Sequence, residues 1–88
     1  MRGLRVKVLY FAWLRERIGK AEEAVDPPPG VRTVRELMTW LAGRGEEYAY
    51  AFEHPNVVRA AIDRAHAQPD AAIAGAREIA FFPPMTGG

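Results

Sequence analysis

The 88 residues carry a formal net charge of +1, are 49% apolar and include no cysteine. Disulfides, thiolate metal sites and thiol nucleophiles are therefore excluded, and the charge balance is not that of a nucleic-acid binder. A chain of this length forms one small domain that buries roughly 60–65% of its unfolded surface. Its nine aromatics let it close a core without staples. No apolar run approaches the roughly 18 residues of a membrane span. Met1-Arg2-Gly3 is not followed by a signal-peptide core, so the expected location is the cytoplasm, with no membrane partner.

Leu4 to Phe11 reads as a strand, because Leu4, Val6, Val8 and Tyr10 alternate with Arg5 and Lys7. Leu9 and Phe11 make the other face apolar too, so this end is expected to be covered on both sides. From Phe11 to Ile18 the spacing turns helical, with Phe11, Leu14 and Ile18 on one face and Gly19 as the stop. Lys20 to Asp26 is short and weakly amphipathic, which suits an edge strand. Pro27-Pro28-Pro29-Gly30 is a loop.

Thr33 and Glu36 form a capping box that opens a second helix. Its apolar stripe is Val34, Leu37, Met38 and Leu41, and Gly43 and Gly45 end it. Glu46 to Phe52 adds a further helical turn, with Tyr48 and Phe52 one turn apart. After the break at Pro55-Asn56, Val57 to Ile62 reads as a strand with Val58, Ala60 and Ile62 on one face. Pro69-Asp70 and Gly75 mark turns. Glu78 to Phe82 is the last strand; Ile79 and Phe81 share one face, Ala80 and Phe82 the other, and Phe82 is expected to point outward. This order predicts an α+β domain over residues 1–82, a mixed sheet with helices packed on one face. Residues 83–88 are expected to form a flexible tail.

The tail is the feature most able to carry chemistry. Pro83-Pro84 stop the last strand, and Met85 is the only large apolar residue among Pro83, Pro84, Met85, Thr86, Gly87 and Gly88. Six extended residues reach roughly 20 Å. Two terminal glycines without side chains can thread a narrow channel and deliver a carboxylate deep inside a partner. A free carboxylate is a poor electrophile, and adenylation by ATP is the usual activation. A sulfur nucleophile then yields a thiocarboxylate, which is how a chain without cysteine can carry sulfur. Taken alone, a terminal glycine pair is more readily a frayed end than a functional one.

The other polar residues read as structural. His54 and His66 lack a paired nucleophile and sit in a loop and a turn, and they make no metal site by themselves. Glu22-Glu23 and Glu46-Glu47 read as solvated faces. Trp13, Trp40, Tyr48 and Phe52 read as core or partner contacts.

The ending Ile79-Ala80-Phe81-Phe82-Pro83-Pro84-Met85-Thr86-Gly87-Gly88 resembles the closing motif of molybdopterin synthase small subunits. Val6-Lys7-Val8-Leu9-Tyr10-Phe11-Ala12 with Leu14-Arg15-Glu16 resembles that family's first strand and helix, and Thr33-Val34-Arg35-Glu36-Leu37 its second helix. Two turns depart from the family pattern, Ile62-Asp63-Arg64-Ala65-His66 and Ala74-Gly75-Ala76-Arg77-Glu78. The resemblance implies a ubiquitin-like β-grasp fold and a non-catalytic carrier working in a heterotetramer with a large subunit. It implies an ATP-dependent adenylating enzyme and a sulfur donor protein as further partners. Gly88 would carry a transient acyl-adenylate and then the thiocarboxylate, with Gly87 beside it. Phe82, Pro83, Pro84, Met85 and Thr86 would contact the partner. No permanently bound cofactor is implied. The sulfur would pass to cyclic pyranopterin monophosphate. Sulfur carriage for thiamine, cysteine or tRNA thiolation is the neighbouring alternative, and a ubiquitin-like interaction module without acyl chemistry is the distant one.

Overall fold

The computed structural model describes residues 5–84. In chain order it contains β1 (Val6–Tyr10), α1 (Trp13–Ile18), β2 (Glu22–Val25), α2 (Val34–Ala42) and α3 (Glu46–Ala51). A 3-10 turn at Pro55–Val57 leads into β3 (Arg59–Ile62), β4 (Ala65–Ala67) and β5 (Glu78–Phe82). The five strands form one sheet in the order β2-β1-β5-β3-β4. β1 runs parallel to β5, and the other three pairings are antiparallel.

The helices cover one face of this sheet. Val6, Val8 and Tyr10 of β1 point into it, as the period of two requires, and so do Ile79 and Phe81 of β5. Val8, Leu14, Leu37, Leu41, Ile79 and Phe81 are all 0% exposed. Phe52, just after α3, meets Phe81 edge to face at 5.3 Å. The capping box is formed: Thr33 Oγ1 accepts from the Glu36 N–H at 3.2 Å, and Glu36 Oε1 accepts from the Thr33 N–H at 3.2 Å. Gly19 closes α1 at φ 90°, in left-handed space, and its N–H bonds to the Arg15 carbonyl at 2.8 Å.

Four expectations need correction. Phe11 is not part of the first helix; α1 starts at Trp13, and Phe11 is 46% exposed on the far side of the sheet. The sharp corner at Ala12 (φ 57°, ψ −133°) separates the two. Leu9 is only half-buried, so that end of β1 is not covered on both sides. Val57 belongs to the 3-10 turn rather than to β3, and is 43% exposed. Finally, the segment after Ile62 is a hairpin rather than a simple turn. Asp63 (φ 49°) and Arg64 (φ 75°) form a two-residue loop of the mirror-image type, and β4 pairs back on β3. Asp63 Oδ1 accepts from the backbone N–H groups of Arg77 and Glu78, at 3.1 and 3.0 Å, and ties that loop to the start of β5. The expected start of the first strand at Leu4 lies outside the described residues.

Candidate functional site

The carboxyl end of β5 lies mid-sheet, between β1 and β3, so residues that follow Phe82 leave from the centre of an edge-to-edge platform. The face of the sheet away from the helices is set by register. Leu9 sits opposite Ala80, Ala80 opposite Ala61, and Ala61 opposite His66. Phe82 is opposite Arg59 on β3. On its other side, the Phe11 N–H donates to the Phe81 carbonyl at 3.1 Å, which sets Phe11 beside Phe82 one step beyond the paired residues. Small Ala61 and Ala80 form the middle of a shallow apolar strip, with Phe11, Leu9 and Phe82 around it.

Phe82 is half-buried, with the His66 ring against it edge to face at 5.6 Å. His66 itself is exposed. Pro83 and Pro84 are half-buried and carry no strand structure, as residues unable to donate to a ladder must. Charges stand at the margins: Lys7 pairs with Glu22 at 3.7 Å toward the far end, and Arg59 stands beside Phe82. Phe11 exposed on one side of the exit and His66 on the other, over a flat alanine floor, give this face the make-up of a docking surface. Among the described residues no group of His, Cys, Asp and Glu could hold a metal ion. Met85, Thr86, Gly87 and Gly88 lie outside the described residues.

A second polar cluster lies on the helix side. The hydroxyls of Tyr10 and Tyr48 both donate to Glu23 Oε2, at 2.8 and 2.6 Å. Arg44 approaches the same oxygen at 3.3 Å, and Lys20 reaches Oε1 at 3.4 Å. Burial alone would raise the Glu23 carboxyl, but the two hydroxyls and the two cations outweigh it and hold it below its ordinary value. Burial and the adjacent carboxylate push the Tyr10 and Tyr48 phenols up. The Tyr48 hydroxyl and the Glu23 charge raise Lys20. With its side chain only 13% exposed, Glu23 is not the solvated residue expected. It fastens the edge strand β2 to β1, to α3 and to the α2–α3 link. Its neighbour Glu22 is solvent-facing as expected, at 54% side-chain exposure.

Thus the structure brings Phe82, Pro83 and Pro84 together at the exit. Phe11, Leu9 and His66 also belong to that surface; the sequence had put Leu9 and Phe11 on this second face of the strand, but had also given Phe11 to the helix and His66 to a turn. Strand parity was the available signal: Phe11 follows Lys7 and Leu9 on the outer face. The same parity places Glu23 beneath the helices two residues before buried Val25, where an acid needs partners.

Residues 8–88 match the model of the ThiS family. The chain is 36% identical over 85 residues to the molybdopterin synthase sulfur carrier subunit of Escherichia coli, covering 94% of this chain and 99% of that one. It is 35% identical over 83 residues to the protein of the same name from Haemophilus influenzae, with the same coverage. Among solved structures it resembles small archaeal modifier protein 1 (SAMP1) of Haloferax volcanii. There the TM-score is 0.71 with 26% identity, over 97% of this chain and 100% of that one. The mixed five-stranded sheet with its helices on one face is a ubiquitin-like β-grasp, and the chain belongs to the ThiS family.

Proposed function

We propose that this chain is the sulfur-carrier small subunit of molybdopterin synthase, with the Gly88 carboxylate as the carrying group. The observation that carries the reading is the exit itself. β5 ends mid-sheet at Phe82, Pro83-Pro84 release it from the ladder, and the open apolar face surrounds that point. The near full-length relation to two sulfur carrier subunits supports it.

The chemistry follows from the residue types present. The chain has no cysteine, so sulfur must be loaded on the carboxylate rather than on a side chain. On an adenylating enzyme, a Gly88 carboxylate oxygen attacks the α-phosphorus of ATP and pyrophosphate leaves. Hydrosulfide released by a sulfur donor protein then attacks the acyl carbon, AMP leaves with the bonding electrons, the S–H proton is lost, and the thiocarboxylate remains. In the large subunit that group delivers its sulfur to cyclic pyranopterin monophosphate. Phe82, Pro83, Pro84, Met85 and Thr86 guide and hold the segment; Gly87 and Gly88 pass where a Cβ would not. The proposal sets these steps in the cytoplasm and gives the chain no cofactor of its own.

The test is reconstituted loading and transfer with the large subunit. A chain ending at Thr86 is expected to keep the wild-type melting temperature and to transfer no sulfur. Gly87→Ala is expected to slow loading, transfer or both, and by more than Thr86→Ala, which adds no Cβ where none stood. Retained transfer by the shortened chain would overturn the proposal. A loaded thiocarboxylate that fails only with cyclic pyranopterin monophosphate would move the chain to another sulfur acceptor.

A further inference from the structure

A groove of about 560 Å³ lies between α2 and the β3–β4 hairpin, on the opposite flank from the Glu23 cluster. Its floor is apolar: Val34, Met38, Val58 and Ala60 line it and are each 1–5% exposed. Arg35 of α2, Arg59 of β3 and His66 of β4 also line it, together with Asn56 and Gln68. No aspartate or glutamate lines it. Asp70 follows Pro69 in the neighbouring turn but is not part of the wall.

The groove runs along a free sheet edge. β4 is the last strand of the sheet, and among the described residues Ala65–Ala67 make backbone hydrogen bonds only with β3. An uncovered edge is a template for another extended chain. At the hairpin the groove meets the docking face, because His66 both lines it and packs on Phe82.

We propose that this groove takes an extended acidic peptide segment of a partner protein, laid along the β4 edge. Alternate residues of an extended chain point to opposite sides. Apolar ones would settle on the Val34–Met38–Val58 floor, and acidic ones would reach Arg35 at the groove's rim. Main-chain bonds to the edge give affinity in this mode, and the side-chain pockets give specificity. A lone phosphate would use Arg35 but not the apolar floor or the edge. The inference does not depend on the chemistry at Gly88, and it adds a second contact region for a protein held at Phe82.

The experiment uses the full chain, labelled with nitrogen-15, and follows backbone amides by NMR. The probe is a blocked octapeptide of alternating Glu and Val; the control replaces each Glu with Lys. The expected result is saturable shifts at Arg35, Thr39, His66 and Gln68, absent with the Lys peptide. Arg35→Glu is expected to weaken binding about tenfold or more. The fold is expected to hold, since Arg35 is exposed and its structural bond to the Pro69 carbonyl is made by its backbone N–H. Equal shifts with the Lys peptide, or shifts confined to Leu9 and Phe82, would overturn the proposal. So would competition by inorganic phosphate that reproduces the same shifts, which would make the groove a small-anion site. Groove shifts that appear on concentrating the chain alone, without peptide, would assign it to a second copy instead.

Discussion

Phe81 and Phe82 are neighbours in β5, yet Phe81 is 0% exposed beneath the helices while Phe82 is half-buried on the other face, with the His66 ring against it. The inner face of the sheet receives two layers of side chains and a T-shaped contact from Phe52. The outer face receives none of the helices. Both faces are apolar near the exit, so hydrophobicity alone does not tell core from docking surface. What separates them is cover. The apolar strip without helix cover lies where the chain departs, which is where the proposed function needs a partner.

Substitutions can break that comparison at graded cost. The largest effect on stability is expected for Phe81→Ala, about 3–5 kcal/mol, the usual cost of emptying an aromatic site in a core. Chemical denaturation measures it, and a loss under about 1 kcal/mol would mean that the inner face is not the core. Phe82→Ala is expected to cost about 2 kcal/mol in affinity for the large subunit and well under that in stability. Calorimetric titration beside the same denaturation series separates the two losses. A reversed pattern would make Phe82 the core residue.

Glu23 tests the closed side in a different way. Glu23→Gln is expected to lose about 1–2 kcal/mol near neutral pH, because charge-assisted hydrogen bonds become neutral ones. The pH dependence carries the sign. The folded carboxyl titrates below its ordinary value, so its contribution is complete above about 4.3 and disappears as the pH falls through the lower folded value. Stability of the wild type should therefore drop toward that of the Gln variant in acid. Parallel curves from neutral to acid pH would remove Glu23 as the fastening group.

The smallest effect concerns the corner that throws Phe11 outward. Ala12 takes the first central position of a type II′ turn, closed by the Leu14 N–H on the Phe11 carbonyl at 3.2 Å. Glycine is the residue that position favours. Ala12→Gly is expected to stabilise the domain by about 0.5–1 kcal/mol, the relief of left-handed strain less the flexibility gained by the unfolded chain. A lower melting temperature would contradict the strain.

Much of this was legible in the chain. Thr33 and Glu36 announced α2, the alternation at Val6, Val8 and Tyr10 announced β1, and the parity of Ile79 and Phe81 announced the buried face. β4 was not legible: Ala65, His66 and Ala67 include no β-branched residue, and Asp63-Arg64 lacks the glycine that marks most two-residue hairpins. Phe11 was misplaced because helical spacing to Leu14 and Ile18 competed with strand parity, and the corner at Ala12 resolves it only in three dimensions. Glu23 looked solvated because its four partners come from residues 10, 20, 44 and 48. The apolar face at the chain exit was half legible, through the outward parity of Phe82 and the strand stop at Pro83 and Pro84. His66 joined it only through a strand pairing that the sequence does not signal.

The central claim is that Gly88 carries sulfur as a thiocarboxylate. Its most direct test is the mass of the C-terminal peptide after incubation with the adenylating enzyme, ATP and a sulfur donor. Exchange of one oxygen for sulfur should add about 16 Da to that peptide alone, as a terminal modification. The gain should be absent when ATP is withheld. An unchanged C-terminal mass under full loading conditions, or a gain on any other peptide, would contradict the account.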